Sequence, residues 1–121
     1  MDDKIQKAFD QANYMATLAN QKQILKEEFH QNLIYFYNGG SFVVTKELIN
    51  FTKTLVDIGN NVEAVLVDSN DIPIDVQDLT VFLENLLSIY HKAINEYYTR
   101  YSQLRSSRTT EKLITAWHGV F

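Results

Sequence analysis

The sequence predicts an α+β fold, with long N-terminal and C-terminal helices flanking two β-hairpin/helix units whose strands form a small antiparallel sheet. One observation behind this is internal parallelism. Leu33 to Leu55 and Ala64 to Leu86 lie 31 residues apart, and each reads as apolar run, turn, second apolar run and amphipathic helix. Each closes on a leucine, a phenylalanine three residues on and a leucine four beyond: Leu48, Phe51 and Leu55, then Leu79, Phe82 and Leu86. The other observation is long helical periodicity at both ends. At 121 residues the chain fits a single domain spanning 1–121, with 105–121 set off as a breaker-rich linker and aromatic tail.

From Asp3 to about Phe29, the apolar residues Ile5, Phe9, Ala12, Ala16, Ala19, Leu25 and Phe29 recur mostly three or four apart, which predicts an amphipathic helix. Its small face, Ala12, Ala16 and Ala19, suits close approach of another helix. Gln21, Lys22 and Gln23 interrupt the stripe. Leu33 to Tyr37 and Phe42 to Val44 flank Asn38-Gly39-Gly40, which can supply the positive φ of a tight hairpin. The alternative is that Leu33 and Phe36 prolong the first helix, with Gly39 as its C-terminal cap. Thr45 is placed to cap a short helix burying Leu48, Phe51 and Leu55, and Gly59 to end it. In the second unit, Val65-Leu66-Val67 and Ile72-Pro73-Ile74 flank Asp68-Ser69-Asn70-Asp71. Pro73 cannot donate to a ladder, so its strand belongs at an edge.

The longest helix is expected to start near Asp75 or Asp78 and to run to about Leu104. Leu79, Leu83, Leu86, Tyr90, Ala93, Tyr97, Tyr101 and Leu104 keep one face throughout. A helix of that length needs a long neighbour, and the N-terminal helix is the candidate for an antiparallel or crossed pair. Beyond Leu104, the run Arg105 to Thr110 breaks the stripe with the weak helix formers Ser106, Ser107, Thr109 and Thr110, before a last short helix from Glu111 to about Trp117.

Composition narrows the chemistry. Hydrophobic residues make up 45% and charged residues 21%, as in a folded globular protein rather than a disordered one. There is no cysteine, hence no disulfide and no thiolate metal site, and an intracellular or virion setting fits best. The N-terminal residues do not read as a secretory signal, and no run approaches the roughly 18 apolar residues of a membrane span. A net charge of −4 argues against general affinity for a nucleic acid backbone. The charge is unevenly spread. Between Lys53 and Lys92 there is no lysine or arginine, but there are Asp57, Glu63, Asp68, Asp71, Asp75, Asp78 and Glu84. Arg100, Arg105 and Arg108 all lie near the C-terminus. Such asymmetry can orient protein contacts, or both zones can be solvated faces.

No catalytic, cofactor or metal residues are assigned. A calcium loop of the EF-hand type starting at Asp68 would need glycine sixth and glutamate twelfth, where the chain has Pro73 and Leu79. Turn and cap chemistry accounts for the same aspartates. His30, His91 and His118 lie in three different elements without the spacing that places two ligands on one helix face. Neither a hydrolase nucleophile elbow nor a phosphate loop is present, and nothing converges on an enzyme.

The candidate interaction residues are Tyr98, Arg100, Arg105, Arg108, Trp117, Val120 and Phe121. Tyrosine and arginine are favoured at interfaces because they join large contact area to a polar end, although tyrosines near a helix end also straddle the edge of a core. Trp117, Val120 and Phe121 either clasp the core or insert into a groove on a partner.

The wording of Ala12 to Gln21, of Asn32 to Phe42 and of Asn95-Glu96-Tyr97-Tyr98, followed by Arg108 and Glu111-Lys112-Leu113, resembles small, functionally unassigned proteins of T4-like myoviruses infecting marine cyanobacteria. The resemblance carries no catalytic residues. It implies a tailed-phage setting, in the virion or in the host cytoplasm during infection. The expected role is that of a non-enzymatic structural or assembly protein that docks protein partners or itself, with no membrane, nucleic acid or small-molecule substrate. The alternative is a small acidic regulator of host or phage transcription or replication machinery.

Overall fold

The structure, a computed structural model, describes residues 2–59 and 63–106. The element order is α1 (Asp3–Asn32), β1 (Ile34–Tyr37), β2 (Gly40–Val43), α2 (Lys46–Asp57), β3 (Ala64–Val67), β4 (Pro73–Val76) and α3 (Leu79–Ser106). This is the α+β arrangement read from the sequence: long first and last helices, with two hairpins and a short helix between. The expected helix from Glu111 to Trp117 lies outside the described residues. Two compact units divide the described residues, 2–29 with 95–106 in one and those within His30–Ile94 in the other.

Local chemistry sets the boundaries of the middle elements. The first hairpin turns through two residues, Asn38 at φ 47 and Gly39 at φ 81, the left-handed pair that matches the twist of its strands. The ladder runs from Ile34 opposite Val43 to Tyr37 opposite Gly40, so residues 33–37 do not prolong α1. Thr45 caps α2, its hydroxyl accepting from the Leu48 N–H at 3.1 Å. The helix closes with Gly59 at φ 96, whose N–H donates to the Val56 carbonyl at 3.1 Å. At the head of α3, the Asp78 carboxylate accepts from the Thr80 and Val81 N–H groups at 3.1 and 3.2 Å, so Asp78 rather than Asp75 is the cap.

The strands do not join into one sheet. β1 pairs only with β2 and β3 only with β4, each pair antiparallel. What joins the hairpins is a set of polar cross-links. The Asp68 carboxylate accepts from the Asn70 and Ile72 N–H groups of its own turn and from the Ser41 N–H of β2, each at 2.9 Å. The Ser41 carbonyl in turn accepts from the Ser69 N–H at 2.9 Å and from its hydroxyl at 2.6 Å. Gly40 is required where the hairpins touch, since a Cβ there would lie 2.6 Å from Ile74 Cγ1. The turn of the second hairpin thus occupies the edge of β2 that a third strand would otherwise use.

The core of the His30–Ile94 unit forms where the first hairpin meets the start of α3. The Phe82 ring centroid lies 5.3 Å from those of Phe42 and Tyr37 and 5.6 Å from that of Tyr35. Leu33, Val44, Leu66, Ile74, Val76, Leu79 and Leu86 are buried as well. Aromatic pairs of this kind contribute about 0.5–1.5 kcal/mol each beyond the area they bury.

Two sequence expectations need correction in α2 and α1. In α2, Phe51 is exposed and Thr52 is fully buried, with Leu48 and Leu55 half-buried. Threonine fits because its hydroxyl donates to the Leu48 carbonyl at 2.8 Å, leaving a satisfied oxygen and a methyl group to pack. In α1, the residues turned toward α3 are Tyr14, Leu18 and Leu25, packed with Leu104 and Tyr97. Ile5, Phe9, Ala12, Ala16 and Ala19 are exposed. At about 100° per residue, these five lie roughly opposite the Tyr14/Leu18/Leu25 face. The expected stripe was therefore two stripes, exchanged at Gln21 to Gln23, and Gln21 itself is buried. Contacts pair Phe29 with Tyr97, Glu28 with Arg100 and Leu25 with Leu104, so this part of α1 and the end of α3 run antiparallel, as expected.

Candidate protein interface

Of the seven candidate interaction residues, the structure places three. Tyr98 stands out from α3 with 73% of its surface exposed, and Arg105 is exposed in the last turn. Arg100 is not a surface residue. It is 5% exposed, and its guanidinium donates to the Glu28 carboxylate of α1. The physical reason is helical phase, since Arg100 falls three after Tyr97 and four before Leu104, on the face that meets α1. Arg108, Trp117, Val120 and Phe121, and with them the choice between clasp and insertion, lie outside the described residues. The other tyrosines of this region are engaged in packing. Tyr97 stacks on Phe29 at 4.8 Å, Tyr101 meets Tyr97 edge-on at 6.0 Å, and the Lys22 ammonium sits 5.5 Å from the Tyr101 ring centroid.

The polar residues that invite a chemical reading are occupied structurally. Asp68 organises the second turn and links it to Ser41, and Asp78 caps α3. The three N–H donors, Ser41 foremost, hold the Asp68 carboxyl below the usual carboxylate range. Glu63 is shifted the other way. A hydrogen bond to the Asp75 carboxyl, with the charge of that group, raises it above its ordinary value. Among the described residues, no group of three histidine, aspartate or glutamate side chains is gathered to hold a metal ion. Nor is any described helix long and apolar enough to cross a membrane.

The prominent surface is apolar, and the sequence reading missed it. Each hairpin has one face on the core and the other in solvent. On the first hairpin, the outer face carries Ile34, Val43 and Phe36, the last 76% exposed. On the second it carries Val65 and Val67, 65% and 59% exposed, with Ile72 of the turn also exposed. The runs Ile34 to Tyr37 and Ala64 to Val67 are apolar on both faces, so alternation could not divide inside from outside. The available signal was the length of the strands: two four-residue hairpins cannot be covered on both faces by so few helices. A surface of this kind marks an interaction site more often than scattered single exposures do.

No family model, curated protein or solved structure matches this chain.

Proposed function

We propose that this chain is a non-enzymatic structural or assembly protein of a tailed phage, acting by docking protein partners through the outer faces of its hairpins. The observation that carries the reading is the exposure of Phe36, Val65 and Val67 on strands whose opposite faces are covered, Leu66 being buried and Tyr35, Tyr37 and Ala64 half-buried. Leaving such side chains in water forgoes roughly 1.5–3 kcal/mol each, which burial in an interface recovers. The phage setting rests on the sequence resemblance alone. Tyr98 and Arg105 add an exposed aromatic and an exposed cation on the last turns of α3, in keeping with interface composition.

Quantitative mass spectrometry of purified particles tests this role. A fixed copy number per particle is the expected result. Abundance in infected cells with repeated absence from particles would instead support the second reading, a small acidic regulator of transcription or replication machinery. That reading draws on the stretch between Lys53 and Lys92, which has seven acidic residues and no lysine or arginine.

A further inference from the structure

The four strands differ in what lies along their outer edges. Antiparallel ladders bond every second residue to the partner strand, and the residues between direct their N–H and C=O groups outward. In the first hairpin, the Val44 N–H donates to the Leu33 carbonyl, so Phe42 and Gly40 also face the partner strand while Ser41 and Val43 face outward. The Ser41 backbone is taken up by Asp68 and Ser69. In the second hairpin, the Asp68 N–H donates to the Ile72 carbonyl, so Leu66 and Ala64 face the partner strand. The outward residues of β4 are therefore Pro73, which has no N–H, and Asp75, whose carbonyl accepts from the Asn38 side chain at 3.1 Å. Pairing along the edges of β2 and β4 is thereby obstructed at Ser41, Pro73 and Asp75. The outward residues of β3 are Val65 and Val67, and among the described residues no proline, lysine or polar cross-link guards them, although such devices are how proteins keep an edge strand from pairing.

Charge distinguishes this edge from that of β1. Across the first ladder, Phe36 faces Ser41 and Ile34 faces Val43, both uncharged. Val65 faces Asp75, and Glu63, two residues before Val65, falls on the same face of the strand by alternation, so two carboxyl groups flank this edge. An approaching second copy of the same edge would bring like charges together, which is destabilising across strands. A basic strand would meet unlike charges.

We propose that the outer edge of β3 receives an extended, basic segment of a partner protein, which adds as a third strand along Val65 and Val67 and sets lysine or arginine against Glu63. This deepens the docking reading and rests on it. Main-chain bonds to Val65 and Val67 supply affinity, and the Glu63–Asp75 pair supplies preference for positive charge.

The test uses the full chain and a short synthetic peptide of alternating lysine and valine, with the glutamate and valine version as control, followed by amide hydrogen exchange. The lysine peptide should slow exchange at Val65 and Val67 by at least about tenfold at saturation, and the glutamate peptide should not. Val65→Pro removes one outward donor without touching the β3–β4 ladder and should abolish the protection. Should that variant fail to fold, Glu63→Lys must still weaken binding of the lysine peptide and strengthen that of the control. Equal protection by both peptides, protection confined to Ile34 and Phe36, slow exchange at Val65 and Val67 in the protein alone through self-association, or no protection at all would each overturn the proposal. None of these results touches docking itself, which fails only if variants of the outer hairpin faces assemble like the wild type.

Discussion

The two hairpin–helix segments follow the same plan and do different work. In each, a hairpin leads into a helix through a side-chain cap, Thr45 in one and Asp78 in the other. In each, the helix carries leucine, phenylalanine and leucine at the same internal spacing. Yet Phe82 is the hub of a core and Phe51 is in water. The cap explains why. Leu48 stands three residues after Thr45, whereas Leu79 stands one after Asp78, so the shared motif is displaced by two positions relative to the strand that leads in. That displacement changes the phase of the motif on the helix, so the buried side of α2 centres on Thr52, with Leu48 and Leu55 half-buried beside it and Phe51 left in water. The spacing within a motif says that it is helical; its distance from the cap says which way it faces.

The turns diverge in the same manner. Asn38 and Gly39 make a two-residue connection from backbone geometry alone. The second turn spans 68–72 and depends on a carboxylate that also reaches the neighbouring hairpin. The first hairpin is thus locally specified, and the second is specified by its neighbour.

The sharpest way to break this comparison is to truncate the two phenylalanines. Phe82→Ala should destabilise the fold by about 3–5 kcal/mol, enough to lower Tm by more than about 10 °C, while Phe51→Ala should stay within about 0.5 kcal/mol. Comparable losses in thermal melts would mean that the two helices share one role after all. Gly40→Ala probes the contact between hairpins. The added methyl group must displace Ile74, and a loss of about 1–3 kcal/mol is expected in urea denaturation. The caps should be nearly equivalent, Thr45→Ala and Asp78→Ala each costing about 1 kcal/mol.

The smallest effects are the pH dependences, and they have opposite signs. Asp68 is held below its ordinary value, so its stabilisation is present above the usual carboxylate range and is lost as pH falls through the lowered one. The gap in Tm between wild type and Asp68→Ala should therefore narrow under acid. Glu63 is raised, so the folded state binds its proton more tightly, an advantage that fades as pH rises through the raised value. Glu63→Gln should be slightly more stable than wild type at neutral pH and should lose that margin below the carboxylate range.

What the sequence made legible was the chemistry of single backbone positions. Asn38-Gly39, Thr45, Gly59 and Asp78 act within a few residues of themselves, so their roles follow from local rules. What it hid depends on the rest of the chain. Arg100 reads as an exposed interface cation until Glu28 of α1 is beside it. The apolar stripe of α1 reads as one face until α3 selects Tyr14, Leu18 and Leu25. The single sheet expected from four strands gives way to two because Asp68 and Ser69 take the edge of β2. The hairpin faces that now stand as the candidate interface were invisible for the same reason: their strands are apolar on both sides, and only the fold decides which side is covered.

Incorporation of a Phe36→Ser, Val65→Ser double variant into purified particles, quantified against wild type by mass spectrometry, tests the docking surface most directly. Both residues point away from the core, so the variant should keep its circular dichroism spectrum and nearly all of its Tm. If the outer hairpin faces dock a partner, the variant folds and is lost from particles; a folded variant incorporated at the wild-type copy number would contradict that role.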